Sequence, residues 1–104
     1  MIRQKLASVI IGFKVAGCFN ARRDLPGDAL VMSKLLLAKI LSDAAELVSE
    51  VLGARITADC GEWGTFAWTK FLLGAPVNHT AVGTDETIRN IIGERVLCLP
   101  KEPA

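Results

Sequence analysis

Apolar residues recur at steps of three and four from the start of the chain. Ile2, Leu6, Val9 or Ile10, Phe13, Ala16 or Gly17 and Asn20 share one face, and Ile11, Val15 and Phe19 widen it. This spacing predicts a helix from about Ile2 to Arg22. Gly12 and Gly17 each weaken that helix by about 1 kcal/mol relative to alanine, which makes them candidate points of close helix contact. Asp24-Leu25-Pro26-Gly27 reads as a turn by residue type. Asp28 then offers an N-cap for a second helix over about Ala29 to Leu52. Val31, Leu35, Ala38, Leu41, Ala45, Val48 and Leu52 line one face of it, and Leu30, Leu37, Ala44 and Val51 run beside them. Lys34, Ser42, Asp43, Glu46, Ser49 and Glu50 do not make a wide solvent face, so this helix is expected to have neighbours on more than one side. Gly53 is its natural stop.

Arg55 to Gly64 reads as a loop. A short helix is expected over Thr65 to Leu73, ending at Gly74-Ala75-Pro76. Val77 to Gly83 is irregular, with a brief extended stretch possible at Thr80-Ala81-Val82. Thr84 caps the last helix, with Asp85 and Glu86 in the first turn where acids suit the helix dipole. Ile88, Ile91, Ile92, Arg95 or Val96, and Leu99 form its stripe, and Pro100 closes it. The helical pattern already runs at Ile2 without a preceding cap, as if the chain were cut from something longer. The expected class is all-α: a hairpin of two long helices with a shorter pair attached.

Composition changes this picture in one respect. The chain has 104 residues, of which 51% are hydrophobic, and its mean hydropathy is +0.38. A single domain of that size leaves much of its surface in water. The apolar excess therefore predicts burial against a copy of itself, another chain or another part of the same fold. A membrane is excluded as the sink, because the longest apolar stretch, Val9 to Phe19, is interrupted by Lys14 and is too short to span. No cleavable leader is expected, and the reading is a cytoplasmic protein. Net charge is +1, and Arg22-Arg23 is the one tight basic pair, which excludes a nucleic-acid-binding face. Cys18, Cys60 and Cys98 are odd in number and widely spaced, unlike a disulfide framework or a zinc site.

Candidate chemistry is sparse. His79 is the only histidine and sits in an irregular segment, where a structural or solvated role is the ordinary one. Ser-His-Asp chemistry needs three groups that the sequence does not place together. No Glu-x-x-His pair suggests a di-iron bundle, and Gly61-Glu62-Trp63-Gly64 is short and acidic, unlike a phosphate loop. Asp85 and Glu86 oppose a phosphate at the start of the last helix. Trp63, Phe66 and Trp68 cluster around the short helix, either as anchors to a core or interface or as a stacking surface for a planar ligand.

Two stretches carry a family resemblance. Gly61-Glu62-Trp63-Gly64-Thr65-Phe66-Ala67-Trp68, followed by Val82 through Leu97 with its run Gly83-Thr84-Asp85-Glu86-Thr87-Ile88-Arg89-Asn90-Ile91-Ile92-Gly93-Glu94-Arg95, resembles the C-terminal end of acyl-CoA dehydrogenases. The likeness is nearest to actinobacterial members, including those acting on fatty acids and steroid side chains, and Leu99-Pro100-Lys101-Glu102-Pro103 closes it. It implies that residues 1–104 are the helical-bundle C-terminal domain of that fold, lacking its first helix. It further implies FAD, α,β-dehydrogenation of acyl-CoA thioesters, electron-transfer flavoprotein as electron acceptor, and a homo- or hetero-oligomer.

By position, the resemblance lays Gly83, Thr84 and Glu86 beside the flavin and, more weakly, Gly61, Trp63 and Gly64 near the flavin of a neighbouring subunit. No catalytic residue and no metal ligand is implied. Val82 stands where many members carry the glutamate base, and valine cannot take a proton. Either the base lies on the missing first helix, as in the isovaleryl-CoA branch, or the chain is the inactive subunit type of a hetero-oligomer. In both cases this chain is expected to be inactive alone. The competing expectations are a free-standing helical oligomerisation or interaction protein that has lost catalysis, and a small bundle that binds a ligand at its aromatic cluster.

Overall fold

The computed structural model describes residues 1–59, 61–81 and 83–101, apart from the side chains of Leu30 and Thr65. The regular elements among them are all helical, and no strand occurs among them. The helices are α1 (Ile2–Ala21), α2 (Met32–Leu52), α3 (Thr65–Gly74) and α4 (Asp85–Ile91). Single 3-10 turns at Gly27–Val31, Gly53–Thr57 and Ala75–His79 join them, and a π turn at Ile92–Val96 extends α4.

α1 and α2 form the expected antiparallel hairpin. Lys5 near the start of α1 pairs with Glu46 at 2.5 Å and with Glu50, both near the end of α2. Further along, Gly12 faces Ile40: a β-carbon on Gly12 would lie 2.9 Å from Ile40 Cγ1. Gly12 is thus a true close-contact glycine. Gly17 is not, since nothing lies within 4 Å of where its β-carbon would be.

The sequence stripe on α1 faces the core only in part. Only Val9 is buried, while Ile2, Leu6, Ile10 and Phe13 are each about half exposed. Helical periodicity identifies an apolar face but not which neighbour covers it. α2 buries Ala38 and Ala45, as its pattern predicts, and also Ile40 and Leu47 from beside that face. The rest of the core is Ala29, Ile56, Ala75 and Ile88. Almost half of these core positions are alanine, so little apolar area is removed from water.

Several boundaries moved. Asp28 does not cap α2; it lies inside the 3-10 turn before Met32, 3.8 Å from Arg95. The Arg55–Gly64 loop starts within a 3-10 turn, and Thr69 Oγ1 donates to Ile56 O at 2.6 Å, fastening α3 beneath α2. Val77 to His79 is a 3-10 turn rather than irregular chain. Thr80 and Ala81 donate back to Val77 O and are not extended. Val82 lies outside the described residues. The last helix loses its α spacing at Ile92, where Leu97 N–H reaches Ile92 O, and it ends before Pro100.

The molecule is elongated, 53 × 31 × 23 Å, with a radius of gyration of 16.9 Å. A compact domain of this length is near 13 Å, by order of magnitude. Substituting the two α1 glycines should have opposite effects. Gly12→Leu forces bulk against the buried Ile40 and should lower stability by about 1–3 kcal/mol. Gly17→Ala should raise it by up to about 1 kcal/mol. Urea unfolding followed by circular dichroism reads both, and equal effects at the two sites would contradict the packing described.

Candidate functional site

Lys34 and Ser42, two of the polar side chains of α2, both turn toward the segment between α3 and α4. Lys34 Nζ donates to Gly83 O at 2.7 Å and to Asp85 Oδ1 at 3.3 Å, with His79 O at 3.5 Å. One ammonium therefore gathers acceptors from His79, Gly83 and Asp85.

Ser42 Oγ lies 2.7 Å from His79 Nε2, and His79 Nδ1 lies 2.5 Å from Asp85 Oδ2. Asp85 is the most enclosed member, its side chain 15% exposed. An ionised carboxylate only accepts, so Nδ1 carries the proton and donates to Asp85. In the neutral ring, Nε2 then accepts from the Ser42 hydroxyl. Hydrogen bonding from His79 is the largest influence holding the Asp85 carboxyl below the usual carboxylate range; Lys34 adds to it and partial burial opposes it.

The residues named from the family resemblance fall in two places. Gly83 and Thr84 adjoin this network. Gly83 needs φ +101°, a conformation that glycine adopts without strain. Thr84 caps α4, its Oγ1 accepting from Thr87 N–H at 3.3 Å. Glu86 is exposed in the first turn, so its carboxylate faces solvent. Gly61, Trp63 and Gly64 lie elsewhere, on a cavity of about 690 Å³ that also takes in Phe66, Trp68 and Phe71. Trp63 is fully exposed there, and Trp68 meets Phe71 edge-on at 6.0 Å. The structure does not bring the two groups into one site.

A second hollow, about 440 Å³, opens beside His79 and Asp85. Phe19, Met32, Leu35, Leu36 and Ile92 make its floor, and Lys39 and Arg89 stand at its edge. Compared with protein-family models, curated proteins and solved structures, the chain matches none of them. Among the described residues no cluster of histidine, cysteine and carboxylate side chains could hold a metal ion, and Cys18 and Cys98 are exposed free thiols. No described helix is long and apolar enough to cross a membrane.

Sequence reasoning missed the Ser42–His79–Asp85 grouping. Its signal was present but indirect: Lys34 and Ser42 are among the polar residues that α2 does not gather into a wide solvent face, and the helix dipole alone accounts for Asp85.

Because the folded carboxyl of Asp85 titrates below its unfolded value, its contribution to stability is complete above that unfolded value, about 3.9. It is lost as pH falls through the lower, folded value. The surface carboxylate Asp24, held down by Arg22, acts in the same direction. Thermal unfolding followed from pH 7 to pH 2.5 should therefore show an acid-side loss that is smaller in Asp85→Asn. An unchanged acid limb in that variant would contradict the role given to the carboxylate.

Proposed function

We propose that this chain is the C-terminal helical domain of an FAD-dependent acyl-CoA dehydrogenase, supplying oligomer contacts and part of the flavin site, in the cytoplasm. The observation that carries the reading is the unpartnered apolar surface. α1 presents Ile2, Leu6, Ile10 and Phe13 along its length, Trp63 and Phe66 project from the α3 end, and the core beneath is small and rich in alanine. Such a surface fits an element that docks into a larger assembly.

The residues near Gly83 suit one part of the cofactor and not another. Asp85 and Glu86 disfavour the diphosphate, so a polar ring edge is the part of the cofactor proposed to meet Gly83 and Thr84. A bound flavin would supply hydride-accepting chemistry, and Gly83 and Thr84 would meet its edge through the turn that Lys34 clamps. No base is assigned, since Val82 holds no proton. Acyl-CoA and electron-transfer flavoprotein are partners of the whole enzyme in this reading.

The same apolar surface supports a second reading, a free-standing helical oligomerisation or interaction protein without catalysis. An in-frame β-domain encoded upstream of Met1 selects the first reading, and an upstream stop codon selects the second. Both readings predict that the purified chain is colourless and does not dehydrogenate acyl-CoA with an artificial electron acceptor. Both also predict a dimer or larger in light scattering. A monodisperse monomer at micromolar concentration contradicts the docking role, and a yellow, active preparation contradicts the assignment of only part of the flavin site.

A further inference from the structure

The bond order Ser42 Oγ···His79 Nε2···His79 Nδ1···Asp85 Oδ2, at 2.7 and 2.5 Å, has a chemical meaning that docking does not need. We propose that Ser42 is a nucleophile activated by His79, with Asp85 and Lys34 as positioning residues, in hydrolysis of a small uncharged carboxylic ester. Serine–histidine–carboxylate sites are identified by geometry and roles, not by chain order. The nucleophile, base and positioning roles are filled here. Asp85 accepts the Nδ1 proton and leaves Nε2 free to take the hydroxyl proton. Lys34 holds the other Asp85 oxygen, which limits rotation of the carboxylate.

Access comes from the side of Ser42. The serine lines an open groove of about 360 Å³ between α2 and the Ala75–His79 turn. Leu72, Ala75 and Pro76 give this groove an apolar wall, and Glu46 and Glu50 stand opposite. Both acids are paired with Lys5, and the apolar wall suits a short uncharged acyl group. The amides flanking Ser42 are spent in the bonds of α2, so an oxyanion must meet a side chain. Lys39, one turn earlier on the same helix, is the nearest cation along the chain. It is 70% exposed and tethered to Asp43. A site without backbone oxyanion donors is slow, because each such donor is worth about 100- to 1,000-fold.

The reaction balances with water alone. Ser42 Oγ bonds to the ester carbonyl carbon as its proton passes to His79 Nε2. The tetrahedral adduct expels the alkoxide, which leaves as the alcohol with that proton. Water, deprotonated by Nε2, then attacks the Ser42 ester, and the carboxylic acid departs as the proton returns to Ser42 Oγ.

The reading is independent of any flavoenzyme assembly, and the chain alone tests it. A fluorophosphonate probe should form one adduct, mapped by peptide mass spectrometry to Ser42. 4-Nitrophenyl acetate should be hydrolysed at least about tenfold faster by the wild-type chain than by Ser42→Ala. Asp85→Asn, which reverses the ring tautomer, should slow labelling at least about tenfold while helical circular dichroism is unchanged. His79→Gln should abolish labelling, and Asp85→Asn stands in if that variant fails to fold. A folded wild-type chain that takes no probe at Ser42, or labelling at Ser33 or Ser49 instead, overturns the proposal. Ester hydrolysis equal in wild type and Ser42→Ala, which is what a solvent-exposed imidazole acting alone would give, also overturns it.

Discussion

The arrangement depends on a single buried-edge contact, the Lys34 ammonium reaching from α2 into the bend between His79 and Asp85. That bend has little hydrophobic reason to stay where it is. Among the described residues, the core side chains that flank it are Ala75 and Ile88, and one of them is an alanine. Lys34 supplies three backbone and side-chain acceptors with one charge, and a charge-assisted bond in a partly dry setting is stronger than a neutral one. Ser42 and His79 complete the fastening one turn of the bend away. Remove the ammonium and the carbonyl of Gly83 and the Asp85 carboxylate lose their shared donor, so the start of α4 loses its register against α2.

Around that clamp the molecule is thin. α2 is the spine on which α1, the Ala75–His79 turn and α3 all pack, yet its buried residues are mostly small or aliphatic. The close approach of Gly12 to Ile40 and the pairing of Lys5 with Glu46 and Glu50 set how α1 lies along it. Exposed ion pairs of this kind contribute little to stability, so their value lies in fixing register. The outcome is a hairpin whose α1 leaves Ile2, Leu6, Ile10 and Phe13 about half exposed. The 16.9 Å radius of gyration is the global expression of that fact.

The polar network and the apolar surface answer different questions. Hydrophobic stripes are non-directional and indicate only that something must cover them. A chain of short, directional bonds among a hydroxyl, an imidazole and a carboxylate specifies proton positions and hence reactivity. The first bears on assembly, and the second on what a single copy can do in solution.

Much was legible in the residues themselves. Steps of three and four placed α1 and α2 within a few positions, Pro26 and Gly27 marked the turn between them, Gly53 stopped α2, and Thr84 capped α4. These are local matters, decided by propensity, capping and backbone freedom. Which part of the wide α1 stripe faces the core was not local, because Val9 and its half-exposed neighbours Leu6 and Ile10 share one periodicity, and only packing against α2, with Gly12 close to Ile40, decides that Val9 is buried. Nor could spacing along the chain bring Ser42 to His79 and Asp85, 37 and 43 residues distant. That meeting depends on α3 folding back beneath α2, and a hydrogen bond exists only once tertiary packing has closed the last few ångströms.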